Sequence, residues 1–141
     1  MSGWRAEITG DLSTAANRIE SALTAPLGMM TADQIRLVWL AYIGVEKSVA
    51  FIRFDIGEEN PGRFIRLRSY EVPDERQALS FALRYLKKGT EEFALGDFHR
   101  ALKELRESRN YLRALLRRKR LERARNARGA SYLRRLSSSS A

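Results

Sequence analysis

The sequence predicts an α/β (α+β) protein: a strand-helix-helix-hairpin-helix domain over residues 1–95 and a long basic helical extension over 96–136, with a disordered tail over 137–141. Three observations predict it. Two segments, 4–9 and 63–72, alternate apolar and polar residues as half-buried strands do. Other stretches repeat apolar residues every three or four positions, the period of a helix packed on one side. Positive charge is concentrated at one end. The alternative is an all-α helical bundle, and the choice turns on residues 45–72.

Taken in order, Trp4-Arg5-Ala6-Glu7-Ile8-Thr9 reads as a short strand ended by Gly10-Asp11. Ser13 or Thr14 then caps a helix to Thr24, with Ala15, Ile19, Ala22 and Leu23 on its buried side. Ala25-Pro26-Leu27-Gly28 breaks it. Thr31 caps a second helix, and Gln34, three residues on, completes a capping box. That helix contains Ile35, Val38, Trp39 and Tyr42, and Gly44 ends it.

From there two readings compete. As a helix, Ile35, Val38, Tyr42, Val45, Val49, Ile52 and Ile56 fall on one heptad seam. As a strand, Ala50, Ile52, Phe54 and Ile56 form one face, and Phe51, Arg53 and Asp55 the other. The concentration of Val, Ile and Phe favours the strand, since these residues fit a pleated surface. So does the loop sequence Gly57-Glu58-Glu59-Asn60-Pro61-Gly62 before the second alternating run. Pro73, with Asp74 and Glu75 at the positive end of the helix dipole, opens a third helix buried through Leu79, Ala82, Leu83, Leu86 and Phe93. Gly96-Asp97 interrupts it. A fourth helix begins at Phe98 and keeps its apolar period through Leu116, after which arginines crowd in.

The chain of 141 residues carries a net charge of +9, and its distribution matters more than its size. Residues 98–136 hold fourteen Lys and Arg against three acids; the remainder holds 12 basic and 14 acidic residues. One strongly basic end is the signature of a surface that meets phosphates. A solvated, ion-paired helix is the plainer explanation, but few acids are present there to pair with the arginines. With no cysteine, a disulfide framework, a thiolate metal site and a cysteine nucleophile are all excluded. The longest uncharged apolar run, residues 37–45, is far shorter than the roughly 20 residues that span a bilayer. The first residues lack the zones of a signal peptide, so a cytoplasmic location and no membrane association are expected.

No catalytic constellation emerges. His99, the one histidine, sits on a basic helix start with no Ser or Cys candidate near it, and reads as a surface residue. Asp55, Glu58 and Glu59 read as a solvated turn rather than a divalent-ion site. There is neither a glycine-rich phosphate loop nor a zinc spacing, and no cofactor is expected.

Binding residues are easier to name. On a strand, Phe64, Arg66, Arg68 and Tyr70 share an outer face, joined by Phe51 and Arg53 of the partner strand. Rings that stack on bases beside guanidinium groups that hold phosphates suit RNA. The same pattern would equally serve a strand covered by a later helix. Arg117, Arg118, Lys119, Arg120, Arg123, Arg125 and Arg128 add phosphate contacts that are blind to sequence. Spread around a helix, they suit folded RNA better than one DNA groove.

The order of elements resembles the small α/β protein subunit of archaeal and eukaryotic ribonuclease P. The resemblance lies in Phe51-Ile52-Arg53-Phe54-Asp55, a variable turn, Phe64-Ile65-Arg66-Leu67-Arg68, and Val72-Pro73-Asp74-Glu75-Arg76-Gln77-Ala78-Leu79, with the strand at 4–9 upstream. It covers about the first 90 residues. The family's Ser-Gly-Thr strand has only Lys88-Gly89-Thr90 to answer it, earlier than the family places it. The resemblance implies a non-catalytic subunit that supports the catalytic RNA in removing the tRNA 5′ leader. Its partners would be ribonuclease P RNA and another protein subunit, and Arg53, Arg66, Arg68 and the basic tail would be its phosphate contacts. The alternative function is an all-helical interaction or assembly subunit of a nucleoprotein complex, such as a small subunit of a CRISPR effector.

Overall fold

The protein is all-α, in place of the expected α/β arrangement. A computed structural model describes residues 3–24, 30–58 and 74–139, and among them are four helices and no strand. These are α1 (Gly3–Leu23), α2 (Ala32–Asp55), α3 (Glu75–Ala94) and α4 (Phe98–Ser139).

Residues 4–9 are the first turns of α1. The apolar seam Ile8, Leu12, Ala15, Ile19 and Ala22 runs straight through Gly10 at helical spacing, and all five side chains are buried. Burying that seam outweighs the local alternation of a six-residue run. Thr14 is no cap; its hydroxyl donates to the Gly10 carbonyl one turn back.

The expected hairpin is overturned in the same way. Helix α2 passes Gly44 without a break, because Val38, Ala41, Val45, Val49 and Ile52 form one buried stripe. Tertiary packing overrides the preference of β-branched residues for strands. Gly44 marks a close approach instead: a Cβ there would lie 3.7 Å from Ala15 Cβ and from the Asp11 carbonyl. The second expected strand, 63–72, lies outside the described residues.

Signals written in a few adjacent residues hold. Thr31 accepts a hydrogen bond from the Gln34 amide, and the Thr31 amide donates 2.7 Å to Gln34 Oε1, completing the capping box. Asp74 caps α3 by accepting from the Arg76 amide at 2.9 Å. At Gly96 the chain takes φ +82°, which glycine adopts without strain, and Asp97 accepts from the Arg100 amide at the start of α4.

Ion pairs across the helices give their directions. Lys47 of α2 meets Glu7 and Asp11 of α1, while Lys87 of α3 meets Glu20 at the far end of α1. Trp4, near the start of α1, packs on Phe93, near the end of α3. Arg109 of α4 reaches Glu46 of α2, and Arg106 reaches Glu58 just beyond it. Every neighbouring pair is therefore antiparallel, with α1 against α2 and α3, and α4 against α3 and α2. The end of α2 and the start of α3 therefore lie at opposite ends of the bundle, about 30 Å apart for helices this long.

The core is shared by all four helices, and Ala101, Leu102, Leu105, Leu112 and Leu115 belong to it. The domain boundary expected at residue 95 thus falls within a packed helical hairpin. Helix α4 also continues through Ser137 and Ser139, where a disordered tail was expected. No helix among the described residues is long and apolar enough to cross a membrane.

Candidate nucleic-acid interface

Helix α4 has two halves of different character. Up to Leu115 it buries one face against α2 and α3. From Arg123 to Ser137 every residue is exposed, so about 22 Å of helix stands clear of the bundle. This half needs no nucleation of its own, since it extends a helix already fixed by packing. Residues 117–136 carry nine basic side chains and one acid, Glu122.

The seven tail residues singled out from sequence divide. Arg117, Arg120, Arg123, Arg125 and Arg128 are exposed, and no acid pairs with them among the described residues. Arg118 is half-buried. Lys119 turns inward, its side chain only 9% exposed, and bridges Glu75 at the start of α3 to Glu122. Burial alone would lower the Lys119 pKa, but hydrogen bonds to Glu75 and Glu122 outweigh it and hold the ammonium above the usual lysine value. Lys119 thus joins α3 to α4 rather than facing solvent.

Arg53 is not brought to this surface. It lies near the end of α2, half-buried, with a buried Nε that has no hydrogen-bond partner among the described residues. The Glu46–Arg109 register puts it level with the beginning of α4, about 20 Å along the bundle from Arg117. Phe64, Arg66 and Arg68 lie outside the described residues. Glu58 is engaged with Arg106 at 2.6 Å, Glu59 is not described, and no cluster of metal-ligating side chains exists among the described residues.

One arginine series follows the α2 side of α4. Arg106, Arg109, Arg113, Arg117 and Arg120 are spaced three or four apart, and Arg128 and Arg135 continue the line at two-turn intervals. The first two are held by Glu58 and Glu46. Opposite them on α2 sits Tyr42, its pKa raised by burial and then by Glu46, and pulled back by Arg113 and Arg109. Beside it Trp39 is 49% exposed, its ring centroid 5.8 Å from that of Tyr42.

Sequence reasoning placed Trp39 on a helix but gave it no role. The available signal was its omission from the seam Ile35, Val38, Tyr42 and Val45, which leaves an outward-facing tryptophan. Ile43, Phe51 and Phe54 are likewise exposed along the outer face of α2. Compared with known protein families, characterised proteins and solved structures, the chain matches none.

Proposed function

We propose that this chain binds RNA without catalysing a reaction, holding phosphates along the exposed half of α4 while the bundle serves as a rigid mount. One observation carries the reading: nine basic residues against one acid over 117–136, on a helix exposed at every residue from Arg123 to Ser137. The exposed half adds repulsion and little buried apolar area, so it contributes little to folding. Eight of the nine are arginines, whose planar fork grips phosphate in two places and stacks on bases. Cations distributed around the whole cylinder favour a folded RNA that wraps the helix over a single DNA groove. A cytoplasmic location belongs to this reading.

The resemblance to ribonuclease P lay in 51–55, 64–68 and 72–79 with a strand at 4–9 upstream; 4–9 and 51–55 are helical, and 64–68 lie outside the described residues. Ribonuclease P RNA therefore stands only as one probe among structured RNAs. The exposed Ile43, Phe51 and Phe54 favour a second, compatible role as an assembly subunit of a nucleoprotein complex.

The test compares the full chain with one ending at Glu122, by anisotropy of a labelled structured RNA at low salt. The shortened chain should melt at the same temperature and bind at least roughly tenfold more weakly, given the phosphate contacts it loses. Equal affinity would remove α4 as the binding element.

A further inference from the structure

We infer that Trp39, backed by Tyr42 and bordered by the arginines of α4, is a stacking platform for an unpaired base, so that the preferred ligand is RNA carrying single-stranded nucleotides beside the phosphate path. The inference rests on the RNA reading and narrows its substrate class.

The geometry begins with register. Glu46 pairs with Arg109 at 3.1 Å, and Tyr42, one turn earlier on α2, feels both Arg109 and Arg113. The helices are antiparallel, so Trp39, nearly a turn earlier again, comes level with Leu116 and Arg117. At this level the arginine series changes state. Arg106 and Arg109 are neutralised by Glu58 and Glu46, whereas Arg117, Arg120 and Arg128 have no acid partner among the described residues. Along this series the arginines without an acid partner among the described residues begin where the exposed indole lies.

The indole itself calls for an occupant. The chain has two tryptophans, and Trp4 is packed between Phe93 and Phe98. Trp39 instead stays half in water on a helix with ample buried apolar positions. Its ring is tilted 32° to that of Tyr42, which limits its freedom before any ligand arrives. A rigid aromatic surface next to unpaired guanidinium groups is how single-stranded nucleic acid is held: bases stack on the ring and phosphates follow the cations. A fully paired duplex hides its base faces, so it would use the arginines but not the ring.

The test uses the full chain with Trp4→Phe, leaving Trp39 as the only indole. It is titrated with a single-stranded oligoadenylate and with a perfectly paired RNA duplex of equal length. The single strand should quench Trp39 emission and the duplex should not. Trp39→Ala should weaken single-strand binding roughly tenfold, the size of one base stacked on a ring, and leave duplex affinity within about twofold. Trp39→Phe should recover most of the loss. An unquenched Trp39, or equal losses on both RNAs, overturns the platform while salt-sensitive binding keeps the phosphate reading. No binding of either RNA at low salt removes both. Self-association that depends on Trp39, with no quenching by RNA, also overturns the platform, by giving the ring to a second copy of the chain.

Discussion

Arg117, Arg120 and Arg128 lie on one side of α4, exposed and without acid partners among the described residues. Replacing all three with Gln removes their charge and keeps a side chain of similar helix propensity. If each holds one phosphate, the slope of log affinity against log salt should fall by about 2 for a single strand or about 2.7 for a duplex. Between 50 and 200 mM salt the variant should then lose roughly 20-fold less affinity than the parent on single strands, and roughly 40-fold less on duplex. Fluorescence anisotropy over a salt series measures this directly. The melting temperature should hold, because exposed substitutions of this kind shift stability by no more than about 0.5 kcal/mol. The control is Arg84, Arg100 and Lys103→Gln, three exposed cations away from the projecting half of α4 that change the net charge equally. If the control flattens the slope as much, binding follows the overall charge of the protein and the reasoning about α4 fails.

Two glycines should respond to alanine with opposite signs in thermal melting. At Gly89 a Cβ would meet Leu105 Cδ2 at 2.8 Å, Cγ at 2.9 Å and the Ala101 carbonyl at 3.3 Å. Crowding of about 1–3 kcal/mol should exceed the roughly 1 kcal/mol gained in helix propensity, lowering the melting temperature. At Gly44 the nearest atoms stand at 3.7 Å, so Gly44→Ala should raise it by up to about 1 kcal/mol of stability. Ser108→Ala removes a buried 2.7 Å hydrogen bond to the Ala82 carbonyl that joins α4 to α3, and should cost about 1 kcal/mol in denaturant titration. Lys119→Met should cost a similar amount, about 1 kcal/mol, by leaving Glu75 and Glu122 without their cation. Because the folded Lys119 pKa lies above the usual 10.5, its contribution is complete below that value and lost as pH rises through the folded pKa; stability measured at alkaline pH should therefore fall less steeply in the variant.

What could be read from the sequence was whatever a few adjacent residues decide. The Thr31–Gln34 box and the Gly96-Asp97 turn are local hydrogen-bond or dihedral requirements, and each appears where the residues place it; the third helix, expected to open at Pro73, begins at Glu75 with Asp74 as its cap. The strand assignments failed because they weighed short windows against a seam that only a longer window reveals. Trp4, Ala6 and Ile8 alternate over six residues, yet Ile8, Leu12, Ala15, Ile19 and Ala22 keep helical spacing across Gly10. The same holds for 45–56, where Val45, Val49 and Ile52 satisfy a helix seam and residues 50–56 a strand face. No local signal separates the two, because the outcome depends on which neighbours bury the residues. Glycine was misleading for a related reason. Gly10 and Gly44 resemble punctuation, but both lie inside helices, and Gly44 sits where α1 comes close.

The basic character of residues 98–136 is independent of the fold. Fourteen basic residues against three acids over 98–136 would mark any structure of that segment as basic. Composition could not say which cations are spent internally. Arg106, Arg109 and Lys119 go to Glu58, Glu46 and Glu75, acids supplied by the turn after α2, the middle of α2 and the start of α3. Those pairings are long-range, and they sort the cations by position: Arg106, Arg109 and Lys119, level with the bundle, are neutralised, and Arg123, Arg125 and Arg128 beyond it have no acid partner among the described residues. The fold thus adds to the composition a direction along α4. The exposed arginines of α4 without an acid partner among the described residues lie toward one end of the molecule, beginning at the level of Trp39.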